Sequence, residues 1–447
     1  MLHHSFACSS ARSACGAANA RTSNARTFNA RTKALGRMAL GVMVGALWCL
    51  PLQAANSSLH VASVGVQSVS AQNVVVQSSQ TLATEKQTFA LQTLAQQLKH
   101  PWGMAFLPSG ELLVTERNGG LVLLDLKGKR TDISGLPAIK AKGQGGLLDV
   151  AVDPDFANNQ WIYFSYAEPA ADGKGASSAK DSTALARARL HNGTLQDIKV
   201  LFSQQPKVDS FGHYGGRIVI DTSSKTHPNG LIYLTLGERY KRRDDAQTLD
   251  NHHGKIVRIQ RDGTVPSDNP FVGKRGALPE IFSLGHRNVQ GAALHPATGQ
   301  LWTHEHGPQG GDEINPIAPA VNYGWPVITY GEEYGGGVIG KTHADGLVQP
   351  LHYWVPSIAP SGLLFYQHDL IPAWRGHLLL GSLKFGQLVR VELDASQQKV
   401  VAQERIMIGK RVRDVEQGPD GAVYLLTDED NGQVLRLMPQ AAAVGAP

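Results

Sequence analysis

VRDVEQGPDGAVYLLTDEDNGQVLRL, residues 412–437, is the stretch that indicates the fold most directly. Apolar and polar residues alternate within its runs, and Pro419, Asp420 and Gly421 form a turn signal between two of them. Alternation with period two is typical of half-buried strands, and a Pro-Asp-Gly turn is typical of a tight connection between them. The stretch therefore predicts strands of a β-meander.

The same kind of unit recurs along the chain from Leu91 onward. The other units are residues 103–125, 146–168, 216–238, 291–307 and 361–393. Each is too small to bury its own apolar faces, whereas sheets arranged radially bury them against one another. Six units predict an all-β fold, a six-bladed β-propeller with four-stranded antiparallel blades. Long loops between units would then build a site on one face.

The first 55 residues have the composition of a signal peptide, here called the export lead. The basic residues of this lead, which has no carboxylate, are Arg12, Arg21, Arg26, Arg31, Lys33 and Arg37. An apolar stretch, 38–52, precedes the small pair Ala54 and Ala55, as at a signal-peptide cleavage site. We expect a soluble periplasmic or secreted protein without a membrane span in the mature chain. A retained membrane anchor and a translation start nearer Met38 remain alternatives.

The rest of the chain is predicted as a low-complexity linker, 56–88, followed by the propeller, 89–440. The three cysteines Cys8, Cys15 and Cys49 all lie in the lead, so the mature chain would have no disulfide and no thiolate site. The formal charge of +5 includes the basic lead, so the mature chain is closer to neutral. A nucleic-acid partner is therefore not indicated. The absence of long helix-period stretches disfavours a nicotinamide-binding α/β fold.

His213, in FGHYGGRIVID, is a candidate general base. It precedes a strand among Gly212, Gly215 and Gly216, which permit close approach of a ligand. Histidine titrates near neutral pH, as proton abstraction from a hydroxyl requires. The alternative is that His213 is one of seventeen histidines in an ordinary turn.

Cationic side chains recur in loops of different units. They are Arg287 beside Asn288, Lys384, Arg411 and Arg413. A radial arrangement would direct them toward one axis, where they would suit a ligand with several carboxylates. As isolated residues they would instead be solvated surface charges.

The loop EHGPQGGDEINPIAPAVNYGWP, residues 305–326, is a candidate calcium site. Calcium takes carboxylate and main-chain oxygens in flexible geometry, and Gly307, Pro308, Asp312 and Glu313 could supply them. The loop lacks the spacing of an EF-hand, so the prediction of a metal there depends on residue type alone.

Taken together, these segments resemble the soluble quinoprotein glucose and sorbosone dehydrogenases, most closely the aldose sugar dehydrogenase branch. The shared motifs are GQGGLLDVAVDPDF, GHYGGR, LGHRNVQG, EHGPQGGDEIN, NYGWP, APSG and RVRDV, between Leu91 and Met438. The resemblance implies a six-bladed propeller that binds pyrroloquinoline quinone (PQQ) and calcium. It also implies an aldose substrate, an external electron acceptor, and a monomer or dimer.

The resemblance also implies roles for individual residues. His213 would be the base, and Arg287 would stabilise negative charge on the reduced cofactor. The residues implied in cofactor binding are Gln144, Arg287, Asn288, Tyr334, Lys384, Arg411 and Arg413. Gly307 and Pro308 would offer carbonyl oxygens to a calcium at the cofactor, whereas Glu313 and the backbone of Tyr323 would bind a second, structural calcium. Trp354 would line the sugar pocket.

Two other readings of the same fold stay open. A calcium-dependent propeller lactonase would need acidic and amide side chains around an axial metal, whereas the axial candidates here are mainly basic. A non-catalytic binding module would have lost the base or the cations, and neither is missing from the sequence. The reaction predicted from the resemblance is oxidation of the anomeric hydroxyl of an aldose to the aldonolactone.

Overall fold

A computed structural model of the protein describes residues 78–125 and 127–440. The first strands in chain order are β1 (Ser78–Ala83), β2 (Thr88–Leu98), β3 (Pro101–Phe106), β4 (Leu112–Glu116), β5 (Gly120–Leu124), β6 (Arg130–Ile133), β7 (Leu147–Val152), β8 (Trp161–Pro169), β9 (Asp181–His191), β10 (Thr194–Ser203), β11 (Gly215–Asp221) and β12 (Leu231–Leu236). The following strands are β13 (Lys255–Gln260), β14 (Ile281–Leu284), β15 (Val289–Leu294), β16 (Leu301–Glu305), β17 (Asp312–Pro316), β18 (His352–Trp354), β19 (Pro360–Phe365), β20 (Leu378–Ser382), β21 (Gln387–Leu393), β22 (Val400–Met407), β23 (Val412–Gln417), β24 (Val423–Thr427) and β25 (Gly432–Pro439).

These strands form six antiparallel sheets. Blades 1 to 5 are the four-stranded sheets β3–β6, β7–β10, β11–β14, β15–β18 and β19–β22. Blade 6 has the order β1-β2-β25-β24-β23, so it combines strands from both ends of the described chain. The pairing of Leu91 with Leu437 is part of this closure. Joining the two ends within one sheet leaves the ring without an open edge.

The first strands of the six meanders form the inner ring of the propeller. β3 contacts β7, β7 contacts β11, and the series continues through β15, β19 and β23 back to β3. The six-bladed propeller predicted from the repeated units is therefore confirmed. Each of the six units contains the first strands of one blade.

Blade 6 differs from the predicted four-stranded sheet by one strand. β1 pairs with β2 over the whole of its length, from Ser78 opposite Thr93 to Ala83 opposite Thr88. This strand lies inside the segment predicted as a linker, 56–88, so the end of that segment is corrected to sheet. The physical reason is that β2 would otherwise be an outer edge with unpaired backbone groups. Residues 56–77 lie outside the described residues.

The core lies between neighbouring blades, as the radial arrangement requires. One cluster joins Leu379 and Leu388 of blade 5 to Val415 and Leu425 of blade 6. Another joins blade 1 to blade 2. All five residues of β24 are buried, because both faces of its sheet are covered. Each fully buried Leu or Val side chain contributes roughly 1.5–3 kcal/mol to this packing.

Helices are short within the described residues. They are α1 (Phe156–Asn159) and the 3-10 turns Gly175–Ser177, Arg243–Gln247 and Pro372–Trp374. None of the helices in the described ranges is long and apolar enough to cross a membrane. The predicted export lead, 1–55, lies outside the described residues.

Candidate active site at the start of the inner strands

A cavity of about 770 Å³ lies on the propeller axis. It is lined by residues at or just before the start of all six inner strands, including Trp102, Leu148, Gly215, Gln290, Ala359 and Arg413. Because the inner strands begin at the same end of the ring, their leading loops converge there. Of the predicted site residues, Gln144, Asn288, Pro308, Tyr334, Lys384, Arg411 and Arg413 line this cavity.

His213 lies beside the cavity, in the turn that leads into β11, where the following residues Tyr214 and Gly215 line the cavity. Its backbone has φ of +53°, and the following turn depends on Gly215, where a Cβ atom would lie 2.6 Å from the carbonyl oxygen of Thr235. The backbone amide of His213 donates to Oε1 of Gln144, a cavity residue, at 2.9 Å. Residues of two blades therefore hold the histidine against the cavity.

Glu238 determines which nitrogen of His213 can act as a base. Nδ1 of His213 lies 2.9 Å from Oε1 of Glu238, and both side chains are buried. Because a carboxylate only accepts hydrogen bonds, Nδ1 carries the hydrogen, and Nε2 is the accepting nitrogen of the neutral ring. Burial, followed by the charge of Arg287, lowers the pKa of His213 below its usual 6.5. The neutral form is therefore favoured at neutral pH.

The cations of blades 5 and 6 line the cavity with different degrees of pairing. Arg413 is buried and donates to Oδ2 of Asp428 at 2.6 Å, while its Nε has no hydrogen-bond partner. The side chain of Arg411 is 51% exposed and lies 3.5 Å from the same carboxylate. Lys384 has no carboxylate partner among the ion pairs of the described residues; its Nζ lies 5.2 Å from the ring centre of Phe385. Positive charge therefore exceeds negative charge on this wall.

Asn288 and Tyr334 differ from each other in how firmly they are held at the cavity. Oδ1 of Asn288 accepts from the backbone amide of Gly215 at 3.1 Å, so this side chain links blades 3 and 4 at the cavity. Tyr334 is 60% exposed, and its hydroxyl lies 3.5 Å from Nη2 of Arg287. Asn288 is thus a fixed part of the wall, and Tyr334 lies at its open edge.

Arg287 lies in a small neighbouring pocket of blade 4. Its Nη1 donates to the carbonyl oxygens of His306 at 3.0 Å and Gly307 at 2.8 Å. The same pocket includes Glu313 and Tyr323. Arg287 therefore connects the cation-lined cavity, through Tyr334, to the loop that was predicted to bind calcium.

The carboxylates of buried Glu305 and half-buried Glu313 both lie in that pocket. Glu305 and Glu313 are directly opposed on β16 and β17. Burial and the charge of Glu305 raise the pKa of Glu313 well above its usual range. A cation between these oxygens would relieve both the repulsion and the burial. The residues therefore fit the predicted structural calcium. The carbonyl oxygen of Gly307 is of the type that the other calcium would take, and in this structure it accepts from Arg287.

The residues of the cavity also fit PQQ. A planar tricarboxylate requires several hydrogen-bond donors and excess positive charge within one enclosed volume. Lys384, Arg411 and the partly unpartnered guanidinium of Arg413 supply these. Trp102 contributes an aromatic ring to the same lining.

Trp354 lines neither the cavity nor the neighbouring pocket of Arg287. It is 3% exposed and packs in the core between blades 4 and 5 with Ile314 and Leu380. Its Nε1 donates to Oε1 of Gln403 at 2.9 Å. The expectation that it lines the sugar pocket is corrected by this placement. The reason is the register of β17 and β18, which pairs Trp354 with buried Asp312.

Sequence reasoning missed Glu238 and Asp428, although a repeated signal was present. In five of the six units an acidic residue stands at or near the end of the second strand. These residues are Glu116, Glu168, Glu238, Glu305 and Asp428. Each lies within 3 Å of a basic side chain. Aligning the units with one another would therefore have marked Glu238 and Asp428 as candidate partners of basic side chains, without showing which ones.

The comparisons with known proteins agree with the geometry. The family model described as "Glucose / Sorbosone dehydrogenase" matches residues 98–436. The aldose sugar dehydrogenase YliI of Escherichia coli (strain K12) is 40% identical over 371 residues, which are 81% of this chain and 96% of the relative.

Two solved structures are also similar. The apo form of the soluble aldose sugar dehydrogenase from Escherichia coli has a TM-score of 0.73 and 39% identity, and the match covers 79% of this chain and 100% of that one. The PQQ-bound form of an aldose sugar dehydrogenase from Streptomyces coelicolor has a TM-score of 0.63 and 27% identity. That match covers 81% of this chain and 98% of the solved one.

Proposed function

The chain belongs to the glucose/sorbosone dehydrogenase family, and from this membership we propose that it oxidises the anomeric hydroxyl of an aldose to the aldonolactone with PQQ and calcium. The observation that carries the proposal is the placement of His213 beside a cation-lined cavity, held there by Glu238 and by Gln144 of the cavity wall. A similar structure in a PQQ-bound form supports the choice of cofactor.

His213 would take the proton. The sugar loses hydride from C1 and a proton from the hydroxyl on C1, so a C=O bond forms as the two bonds to hydrogen break. Nε2 of His213 would accept that proton, because Nδ1–H is held by Glu238. Glu238 also offsets the positive charge that the imidazole then gains. When bound, PQQ would supply the two-electron acceptor for the hydride, polarised by calcium as a Lewis acid.

The cations would bind and orient the cofactor. Lys384, Arg411 and Arg413 would pair with its carboxylates, and Gln144, Asn288 and Tyr334 would contribute polar contacts to it. Arg287 would stabilise negative charge as it develops on the reduced cofactor. The calcium at the cofactor would take the carbonyls of Gly307 and Pro308, and the structural calcium would take Glu313 and the backbone of Tyr323.

The two alternative functions are less well supported by the side chains. A propeller lactonase requires carboxylate and amide ligands converging on an axial metal, whereas this cavity wall carries Lys384, Arg411 and Arg413. A non-catalytic binding module would not require a buried His–Glu pair in which the second imidazole nitrogen can accept a proton. The described geometry therefore favours the dehydrogenase.

Reconstitution tests the proposal directly. Purified apoprotein is given PQQ, calcium, or both, and reduction of a dye is followed with a panel of aldoses. We expect turnover only with both additions. The cations of the cavity have no anionic counterpart without PQQ, and PQQ is poorly polarised without calcium. Full-rate sugar oxidation with a nicotinamide cofactor and no quinone would contradict the proposal. Hydrolysis of a lactone with calcium alone would favour the lactonase.

We also propose that the protein is exported, with 1–55 as the lead and 89–440 as the quinoprotein domain. The mature chain is then expected to begin close to Asn56 and to be recovered in soluble form outside the cytoplasm. Amino-terminal sequencing of the protein from a periplasmic or culture fraction measures this. An intact lead in a membrane fraction would support the retained anchor instead.

A further inference from the structure

Two exposed aromatic rings lie side by side at the edge of the candidate site. Phe211 is 48% exposed and Tyr240 is 41% exposed, and their ring centres are 5.0 Å apart. Solvent exposure of two adjacent aromatic rings is unfavourable unless they are covered by a ligand or partner. These rings belong to different loops, so their proximity is a result of tertiary structure.

Tyr240 is in direct contact with the candidate base. Its ring centre lies 5.1 Å from that of His213, in an edge-to-face arrangement. Phe211 is joined to the cavity wall as well, because its carbonyl oxygen accepts from the backbone amide of Gln144 at 2.8 Å. The aromatic pair therefore contacts both His213 and Gln144, and Gln144 lines the cavity.

A buried arginine holds this pair in place. Arg239 is 0% exposed; its guanidinium donates to the carboxylate of Asp181 at 2.7 Å and to the carbonyl oxygens of Ser210 and Gly212. Its backbone carbonyl accepts from the hydroxyl of Ser210 at 2.6 Å. The loop that carries Phe211 is thus tied to the loop that carries Tyr240.

The backbone of the second loop is strained. Arg239 and Tyr240 have φ of +62° and +60°, in the left-handed region that non-glycine residues seldom adopt. Such strain persists only where the surroundings impose it, and it is concentrated at functional sites. Here the buried contacts of Arg239 impose it, and their effect is to present the ring of Tyr240 beside His213.

We propose that Tyr240, supported by Phe211, is a platform for the C–H face of a pyranose ring; this inference rests on the dehydrogenase function proposed above. An aromatic face carries partial negative charge and attracts the weakly positive C–H groups of a sugar ring. A pyranose stacked there has its anomeric hydroxyl within reach of the adjacent imidazole. Tyr240 would therefore select cyclic aldoses and contribute to their binding more than to the chemical step.

Steady-state kinetics on the PQQ- and calcium-loaded protein test the platform, with glucose as the substrate. Tyr240→Ala is expected to raise KM about tenfold while kcat changes by less than about threefold, because stacking acts in the ground and transition states alike. Tyr240→Phe keeps the ring and is expected to restore KM to within about twofold of the parent. Phe211→Ala is expected to raise KM by a smaller factor. Met407→Ala, which removes an exposed apolar side chain on blade 5, is the matched control.

Two outcomes overturn the inference. One is an unchanged KM in Tyr240→Ala and in Tyr240→Leu, the latter serving if the alanine variant does not fold. The other is a loss of kcat with a shifted acid midpoint and unchanged KM, which means that Tyr240 only covers His213. If the parent oxidises none of the aldoses in the panel, the proposed function fails. Saturation-transfer NMR of glucose with the parent and with Tyr240→Leu then tests the contact independently, and equal transfer in both contradicts it.

Discussion

The two halves of the propeller axis differ in how their charges are paired. In the first, at the start of the inner strands, Lys384 and Arg411 extend into a cavity of about 770 Å³. In the second, further along the same strands, Arg217 is buried between the carboxylates of Asp149 at 2.9 Å and Asp414 at 3.0 Å. A second cavity, of about 300 Å³, lies beside this cluster.

Arg217 and its two carboxylates stabilise the fold, whereas Lys384 and Arg411 are available to bind a ligand. Asp149 also accepts from the amide of Ile218, and Asp414 accepts from the amide of Met104, so the axial cluster joins four blades. Removing a partner from such a cluster leaves a buried charge without compensation. The cavity cations have no comparable network, and substituting them should affect ligands rather than stability.

The largest expected effect is on turnover, at the cavity end. His213→Gln keeps a polar side chain but cannot accept the proton, so turnover should fall by about 10² to 10⁴. PQQ and calcium binding and the thermal midpoint should be retained. Single-turnover reduction of bound quinone by an aldose measures the effect. A variant that reduces the quinone as fast as the parent shows that His213 is not the base.

An effect of comparable free energy is expected where Arg217 lies, but there it is a loss of folding stability. Arg217→Met leaves Asp149 and Asp414 buried without their cation and should destabilise the fold by about 3–5 kcal/mol. Urea or thermal unfolding of the apoprotein measures it. Arg375→Met, which removes an arginine that is 60% exposed on the outside of blade 5, is the control and should change little. Equal stability of the two variants would remove the contrast between the ends of the axis.

Cofactor affinity should respond at the cavity end alone. Lys384→Ala or Arg411→Ala should weaken PQQ binding by about 1.5–3 kcal/mol each, because a charge-assisted contact to a carboxylate is lost. The unfolding midpoint of the apoprotein should not fall. Titration of apoprotein with PQQ, followed by absorbance or by activity, measures the affinity. Unchanged titration curves would place these residues outside the cofactor site.

The effect that is smallest at each step of pH concerns the pH dependence of stability. Burial raises the pKa of Asp149 to about 7 from an ordinary 3.8, with the charge of Arg217 opposing the rise and that of Asp414 adding to it. Between these values the folded state keeps a proton that the unfolded chain has released, so stability decreases as pH rises from about 4 to about 7. The expected slope is at most about 1.4 kcal/mol per pH unit. Asp149→Asn should flatten it in unfolding titrations, and an unchanged slope assigns the proton elsewhere.

How much of the site could be predicted differs from residue to residue. Gln144, Arg411 and Arg413 were predicted as site residues and are in one cavity, because each stands at or just before the start of an inner strand. Lys384 joins them because it follows β20, whose end pairs with the start of the inner strand β19. Trp354 was misplaced because apolar and polar residues alternate only weakly around it, so the sequence did not show which strand pairs with β18. Its burial follows from pairing with β17.

The sequence by itself determined the number of blades, the all-β class, and the loops that carry the candidate base and the cations. These follow from alternation and turn residues, which act between neighbours in the chain. Only the tertiary structure decided that Glu238 holds Nδ1 of His213, that β1 completes blade 6, and that Tyr240 lies against the imidazole. The reason is that strand pairing brings together side chains such as His213 and Glu238, which are 25 residues apart and have no local signal in common, and burial then sets their protonation and contacts.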